Sequence, residues 1–375
     1  MRGIYIHIPF CRQACRYCDF YFSVSLRYLD PFVDALLEEI RQKGESSTGH
    51  SLETLYLGGG TPSLLSARHL ERIINALYKY HSFQESPEWT IECNPDDLNE
   101  HTVKSLGLLG FNRLSIGIQS FHERDLEIMR RSHNAEQAEA SVLLASSGGF
   151  ENITMDLIYG IPGQSFDEWE ENIEKALSLP VSHLSAYHLT FEPGTVFDHW
   201  RKNGRLHPVQ EEESVDQYRI LREKLLSAGF DHYELSNFAR NGMSSKHNLL
   251  YWSGASYIGL GPSAHSYDGE RRSWNTSSLK GYIGGINNGD KIDETEQLTS
   301  REKYHDYLLT SLRTRRGADP AYMEEAFGLE FRVHFESSAQ AFLKNGSMSA
   351  AGGRLFIEPG QWLITDHILR ALFMD

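Results

Sequence analysis

The sequence predicts an α/β protein. A parallel sheet with helical crossovers closes part-way into a (β/α)6 barrel, extra strands extend the sheet, and a small helical, winged-helix-like module follows. Three observations carry this. Short apolar, β-branched runs alternate about six times with longer stretches of helical spacing. Alternation of that kind requires parallel strands joined by crossovers. From Ser300 onward the pattern turns to helices with one small hairpin.

Residues 3–9, 54–57, 89–93, 113–118, 153–158 and 183–190 read as strands, being short, apolar and bounded by turn residues. Between them, residues 29–43 carry Phe32, Leu36, Leu37 and Ile40 at helical spacing, and residues 67–81 carry Leu70, Ile73, Ile74 and Leu77. Residues 136–147 and 167–179 follow the same pattern. After 190 the chain is less regular, with a helix expected at 211–228 and strand pieces at 232–237 and 257–261. Residues 281–291, rich in Gly and Asn, read as a linker. Beyond it lie helices at 321–327 and 333–343, strand-like pieces at 355–358 and 362–365, and a last helix at 367–373. The division expected is a core at 1–190, a sheet extension and ligand region at 191–290, and a C-terminal helical domain at 291–375.

A composition 40% hydrophobic and 23% charged is that of a globular protein. Lys plus Arg number 36 against 51 Asp plus Glu, and a formal charge of −15 disfavours non-specific nucleic-acid binding. No apolar run approaches the length of a membrane span. The opening Met-Arg-Gly-Ile-Tyr-Ile-His-Ile-Pro has no signal-peptide core, so a cytoplasmic protein is expected.

Cys11, Cys15 and Cys18 stand in a C-x3-C-x2-C run. Thiolates are soft ligands that suit iron–sulfur clusters and zinc. Structural zinc takes four ligands, and the one other cysteine is Cys93, expected to be a packed residue. Four cysteines in 375 residues are too sparse for a disulfide framework. Three ligands leave one corner of a four-iron cluster open.

Polar groups gather at the predicted strand ends, where barrels of this kind place their chemistry. Tyr5 leads into the cysteine loop and Tyr17 precedes its third cysteine. The second strand ends Gly58-Gly59-Gly60-Thr61-Pro62, where glycines let the backbone approach a ligand. The third delivers Glu92, the fourth Gln119 with Arg131 twelve residues on, and the fifth Asp156. Gln119 suits a ribose or carboxylate, and Arg131 a carboxylate.

The C-x3-C-x2-C spacing resembles the signature of radical S-adenosylmethionine (SAM) proteins. That resemblance implies a 4Fe–4S cluster on Cys11, Cys15 and Cys18 whose open iron holds the amino and carboxylate groups of SAM, and one electron from the cluster breaks the carbon–sulfur bond. It implies SAM contacts from Tyr5, Tyr17, Gly59, Gly60, Thr61, Glu92, Gln119, Arg131 and Asp156. Tyr-Ile-His-Ile-Pro-Phe-Cys, Gly-Gly-Gly-Thr-Pro, Ser-Ile-Gly-Ile-Gln-Ser and Asp-Leu-Ile-Tyr-Gly-Ile-Pro-Gly occur in order over residues 1–290 and resemble the oxygen-independent coproporphyrinogen III oxidase family. The oxidase branch carries a further cysteine two residues after the third, where this chain has Phe20, and an N-terminal extension that Cys11, so near the start, leaves no room for. Both departures point to the haem-chaperone branch. His247-Asn248-Leu249-Leu250-Tyr251-Trp252 matches that branch's H-N-x-x-Y-W run. It implies haem held by His247, Tyr251 and Trp252, with a neutral imidazole on iron and aromatic faces on the porphyrin. A turn ending in His265 follows and closes the pocket, with His265 the next candidate should His247 not be the ligand. The cofactors implied are thus the cluster, SAM and haem, and the partners are acceptor haem proteins, respiratory enzymes at the membrane among them. The alternative is radical decarboxylation of coproporphyrinogen III propionates.

Overall fold

β1 (Gly3–Ile8), α1 (Leu29–Ser46), β2 (Ser51–Gly59), α2 (Ala67–Tyr80), β3 (Ser82–Cys93), α3 (Glu100–Leu108), β4 (Arg113–Gln119), α4 (Glu123–Met129), α5 (Ala135–Ser147), β5 (Asn152–Tyr159), α6 (Phe166–Ser178) and β6 (His183–His188) make the repeating part of the chain. The coordinates are a computed structural model that describes residues 2–46 and 51–374. The six strands expected in this part are all present, several of them longer than the apolar runs alone suggest.

The helices follow from spacing and caps. In α2, Leu70, Ile73, Ile74 and Leu77 are buried on one face, and the Ser66 side chain accepts from the His69 N–H at the N-terminus. Each such buried aliphatic side chain stabilises the fold by about 1.5–3 kcal/mol relative to exposure. Full capping boxes start α5 (Asn134 with Gln137) and α6 (Ser165 with Glu168).

The chain continues through α7 (Val196–Lys202), α8 (Glu211–Ser227), β7 (Asp231–Glu234), β8 (Asn237–Ala239), α9 (Lys246–Trp252), β9 (Tyr257–Leu260), β10 (His265–Tyr267), β11 (Arg271–Asn275), α10 (Leu279–Asn288) and β12 (Asp293–Gln297). All strands so far share one sheet of twelve among the described residues, in the order β12-β11-β10-β9-β1-β2-β3-β4-β5-β6-β8-β7. From β9 through β1 to β6 every pairing is parallel. The two flanks are antiparallel.

One expectation is corrected here. Residues 281–291 are mostly α10 rather than a linker. Leu279, Tyr282 and Ile286 are buried at helical spacing, and the Ser278 side chain caps the N-terminus by accepting from the Gly281 N–H. Burial of that apolar face outweighs the helix cost of the glycines, about 1 kcal/mol each.

The last part comprises α11 (Ser300–Ser311), α12 (Pro320–Phe327), α13 (Leu329–Lys344), the hairpin β13 (Met348–Ala351) and β14 (Arg354–Ile357), and α14 (Thr365–Leu372). The piece read as a strand at 362–365 is instead a 3-10 turn, Pro359–Ile364, leading into α14. It buries Trp362 against the edge of the His232 ring, 4.4 Å between centroids, and His232 in turn stacks on Phe238 at 4.0 Å. That stack, with the Leu235 N–H donating to the Arg313 carbonyl at 3.1 Å, joins the sheet flank to a second apolar core built around Tyr304, Leu308, Phe335 and Leu369.

Candidate functional site: two adjoining cavities at the strand ends

After β1 the chain leaves the sheet through Pro9 and the buried Phe10 and makes a loop to Ser23. Its base is closed by the Ser23 N–H donating to the Pro9 carbonyl at 2.7 Å and the Cys11 N–H donating to the Ser23 carbonyl at 3.1 Å. The loop is pinned outside as well. Arg12 pairs with Asp97 at 2.8 Å, the Gln13 amide donates to the Arg130 carbonyl at 2.8 Å, and Arg16 donates to the Ile128 carbonyl at 3.0 Å. None of these contacts uses a cysteine sulfur. Cys11, Cys15 and Cys18 are free thiols, half-buried, and all three line one cleft of about 460 Å³.

The donor set fits a cluster. Among the described residues no three Cys, His, Asp or Glu side chains converge as a single-ion site requires. The three thiols line one cleft, close enough that each neighbouring sulfur raises the Cys18 pKa further. Burial is the larger cause and pushes Cys18 up to about 12, so ligation must displace protons. A cubane presents separate irons, one to each such thiolate.

The rest of the cleft wall comes from the strand ends. Tyr17, Gly59, Gly60, Thr61, Glu92, Gln119, Arg131 and Asp156, all read from the sequence as SAM contacts, line it. Gly59 has φ +108°, and a Cβ there would lie 2.5 Å from His7 Nδ1, so no side chain fits. The Gly59 N–H donates to Glu92 Oε2 at 3.1 Å, and the Tyr56 hydroxyl donates to Glu92 Oε1 at 2.8 Å. Burial pushes Glu92 up to about 7 and Asp156 up to about 6, against the hydrogen bonds that hold both down. Arg131 donates to the Gly117 carbonyl at 2.8 Å, to the Asn94 side chain, and to Cys15 Sγ at 3.4 Å. It therefore sets a fixed positive charge beside the second cysteine. Cys93 is buried and donates to the Ile91 carbonyl at 3.7 Å.

Sequence reasoning missed Tyr56, Arg113, Ser115 and Ser185, which line the same cleft. Their signal was a polar residue between apolar neighbours in each strand: Leu55-Tyr56-Leu57, Ile91-Glu92-Cys93, Leu114-Ser115-Ile116, Met155-Asp156-Leu157 and Leu184-Ser185-Ala186. The register sets Glu92 beside Ser115 and Asp156 beside Ser185, so these positions share the inner face of the sheet.

Tyr5 belongs elsewhere. It lines a second cavity of about 910 Å³, bounded by the cysteine loop, the end of α9, the strands from β9 to β11 and the C-terminal module. Tyr251, Trp252 and His265 line this cavity too, and Asp19 and Phe20 line both. His247 lines neither. It is 1% exposed, with Nδ1 2.7 Å from Thr54 Oγ1 and Nε2 2.9 Å from the Tyr251 hydroxyl.

The radical SAM superfamily signature matches residues 5–176. A protein named Heme chaperone HemW from Bacillus subtilis (strain 168) is 38% identical over 99% of this chain and 99% of its own length. The chain belongs to the HemW family. The HemW of Escherichia coli (strain K12) is 30% identical over 97% of this chain and 94% of its own. Among solved structures, coproporphyrinogen III oxidase (HemN) from Escherichia coli superposes with a TM-score of 0.86 at 23% identity, covering 99% of this chain and 89% of that one. The α/β fold is therefore that of a radical SAM protein. In HemW terms, the family implies a 4Fe–4S cluster and SAM, and the cleft is where this chain gathers its thiols and strand-end polar groups.

Proposed function

We propose that this chain is a haem chaperone. Cys11, Cys15 and Cys18 hold a 4Fe–4S cluster. The strand-end groups orient SAM: Arg131 toward its carboxylate, Glu92 and Gln119 toward its ribose, and the Gly59-Gly60-Thr61 turn toward its methionine end. When bound, the cluster supplies the electron that SAM cleavage needs. Haem occupies the larger cavity against Tyr251 and Trp252 and passes to acceptor haem proteins, respiratory enzymes among them. The protein works in the cytoplasm and at the membrane periphery; among the described residues no helix is long and apolar enough to cross a membrane.

The observation that carries this reading is the pair of adjoining cavities with Phe20 between them. Where the oxidase branch has a further cysteine, this chain has an aromatic side chain 66% exposed, facing both spaces. Full-length similarity to Heme chaperone HemW supports the same choice. The larger cavity lies within the roughly 300–1,000 Å³ typical of ligand sites, and its aromatic lining suits a flat apolar ring.

The test is a haem titration of the anaerobically reconstituted protein, followed by mixing with an apo haem protein. Saturation at one haem per chain and transfer to the acceptor are expected. Absence of saturable binding would overturn the reading.

A further inference from the structure

Three imidazoles stand around the larger cavity, and only one is available to a metal. His7 lines it, but its Nδ1 lies 3.1 Å from the Tyr5 hydroxyl and its Nε2 2.9 Å from the Tyr21 carbonyl. His247 lies behind the wall with both nitrogens engaged, to Thr54 and Tyr251. His265 lines the cavity, is exposed, and its ring makes no hydrogen bond among the described residues.

The backbone beneath His265 is held firmly. Its carbonyl passes so close to Gly259 that a Cβ there would lie 2.0 Å from the oxygen. The buried Glu39 carboxylate accepts from the Gly261 N–H at 2.8 Å, from Asn275 Nδ2 at 2.7 Å and from the Tyr282 hydroxyl at 2.7 Å. The Asn275 N–H in turn donates to the Ala264 carbonyl at 2.9 Å. This network fixes the turn that presents His265. Partial burial, and then the positive Arg272, lower the His265 pKa.

The cations of the wall sort in the same way. Arg272 pairs with Glu296 and Asp306, Lys303 with Glu270, and Arg354 with Asp319. Arg316 lines the cavity, is exposed, and its guanidinium makes no hydrogen bond or ion pair among the described residues, though its charge is felt by Tyr307.

We infer that His265 is the protein's axial ligand to haem iron and Arg316 the partner of a haem propionate, while His247 is a positioning residue that holds the Tyr251 ring at the cavity wall. This assignment rests on the haem-chaperone reading and deepens it. A guanidinium recognises a carboxylate in a planar, paired geometry, and an unpartnered one beside a porphyrin-sized space matches the anionic edge of haem.

The experiment is an absorbance and EPR titration of the full chain with haem, for the wild type, His265→Ala, His247→Gln and Arg316→Gln. In His265→Ala the histidine-ligated spectrum is lost and affinity falls at least tenfold. Millimolar free imidazole restores the spectrum, a rescue that a misfolded variant does not give. His247→Gln keeps a histidine-ligated spectrum and binds haem more weakly. Arg316→Gln keeps the spectrum, weakens haem binding several-fold, and leaves binding of the haem dimethyl ester unchanged. A wild-type spectrum in His265→Ala overturns the iron assignment, and equal loss of haem and its ester in Arg316→Gln overturns the propionate assignment. A wild-type chain that binds no haem overturns the chaperone reading itself, so the two failures are distinct.

Discussion

The Tyr56 hydroxyl and the Glu92 carboxylate meet at 2.8 Å on the inner face of the sheet, where burial makes Glu92, the group proposed to face the SAM ribose, sensitive to pH. Burial raises the Glu92 pKa to about 7 from an ordinary 4.5. Its charged form, the stronger hydrogen-bond acceptor, therefore fills in between pH 6 and 8. SAM affinity, measured by calorimetry, should rise across that window. Glu92→Gln should lower affinity about tenfold at pH 8, since a hydrogen bond to a charged group contributes about 1.5–3 kcal/mol, and should flatten the pH profile. The stability effect has the opposite sign. A carboxyl whose folded pKa is raised binds its proton more tightly in the native state, so stability falls as pH climbs from 4.5 toward 7. The ligand-free wild type should melt lower at pH 8 than at pH 6, and the variant should lose part of that difference. Equal SAM affinity at both pH values in the wild type would remove Glu92 from the binding role.

The cluster cysteines and Cys93 should separate cleanly. Replacing Cys11, Cys15 or Cys18 with Ala should abolish the charge-transfer absorbance and the bound iron of the reconstituted protein. Cys93→Ala should keep both, because that thiol donates to the Ile91 carbonyl within its own strand. Loss of iron from the Cys93 variant would contradict a cluster with an open corner.

Phe20 stands between the two cavities, and its removal should be felt in both. An aromatic contact contributes about 0.5–1.5 kcal/mol beyond the area it buries, so Phe20→Ala should weaken haem retention several-fold. Loss of the screen over the cleft should also speed oxidative bleaching of the cluster in air, followed by its absorbance. Unchanged haem release and unchanged bleaching would show that Phe20 separates nothing.

Glu39 anchors the turn before His265 from a helix far away in sequence. Glu39→Ala leaves three donors, on Gly261, Asn275 and Tyr282, without their acceptor in a buried site. Each orphaned group costs about 1–3 kcal/mol, so chemical denaturation should show a loss of at least about 3 kcal/mol. A loss under about 1 kcal/mol would mean that water enters and takes over the acceptor role.

Much of this was legible in the sequence, for identifiable reasons. Strands that are apolar on both faces announce themselves as short runs, and a lone acid or amide in or at the end of such a run marks the rim, which is how Glu92, Gln119 and Asp156 stood out. Tyr56 was hidden because it lies within its strand between Leu55 and Leu57, where one polar side chain amid apolar neighbours looks like ordinary alternation, and Arg113 because it opens β4 next to Asn112 and reads as part of the turn. Residues 281–291 misled because glycine content pointed to a linker, while the decisive pattern was Leu279, Tyr282 and Ile286 at helical spacing. His247 and Tyr251 are four residues apart and so share a face of α9, but which face meets β2 depends on tertiary packing. The Thr54 contact that occupies the His247 ring spans 193 residues and has no local trace.

The central claim is that this chain carries haem and leaves porphyrinogen side chains intact. The most direct measurement is CO2 release during anaerobic incubation of the reconstituted protein with coproporphyrinogen III, SAM and a reductant. The account predicts no release above the no-protein control, from a preparation that binds one haem per chain. Stoichiometric CO2 that depends on both SAM and reductant would contradict it and make the protein a decarboxylase.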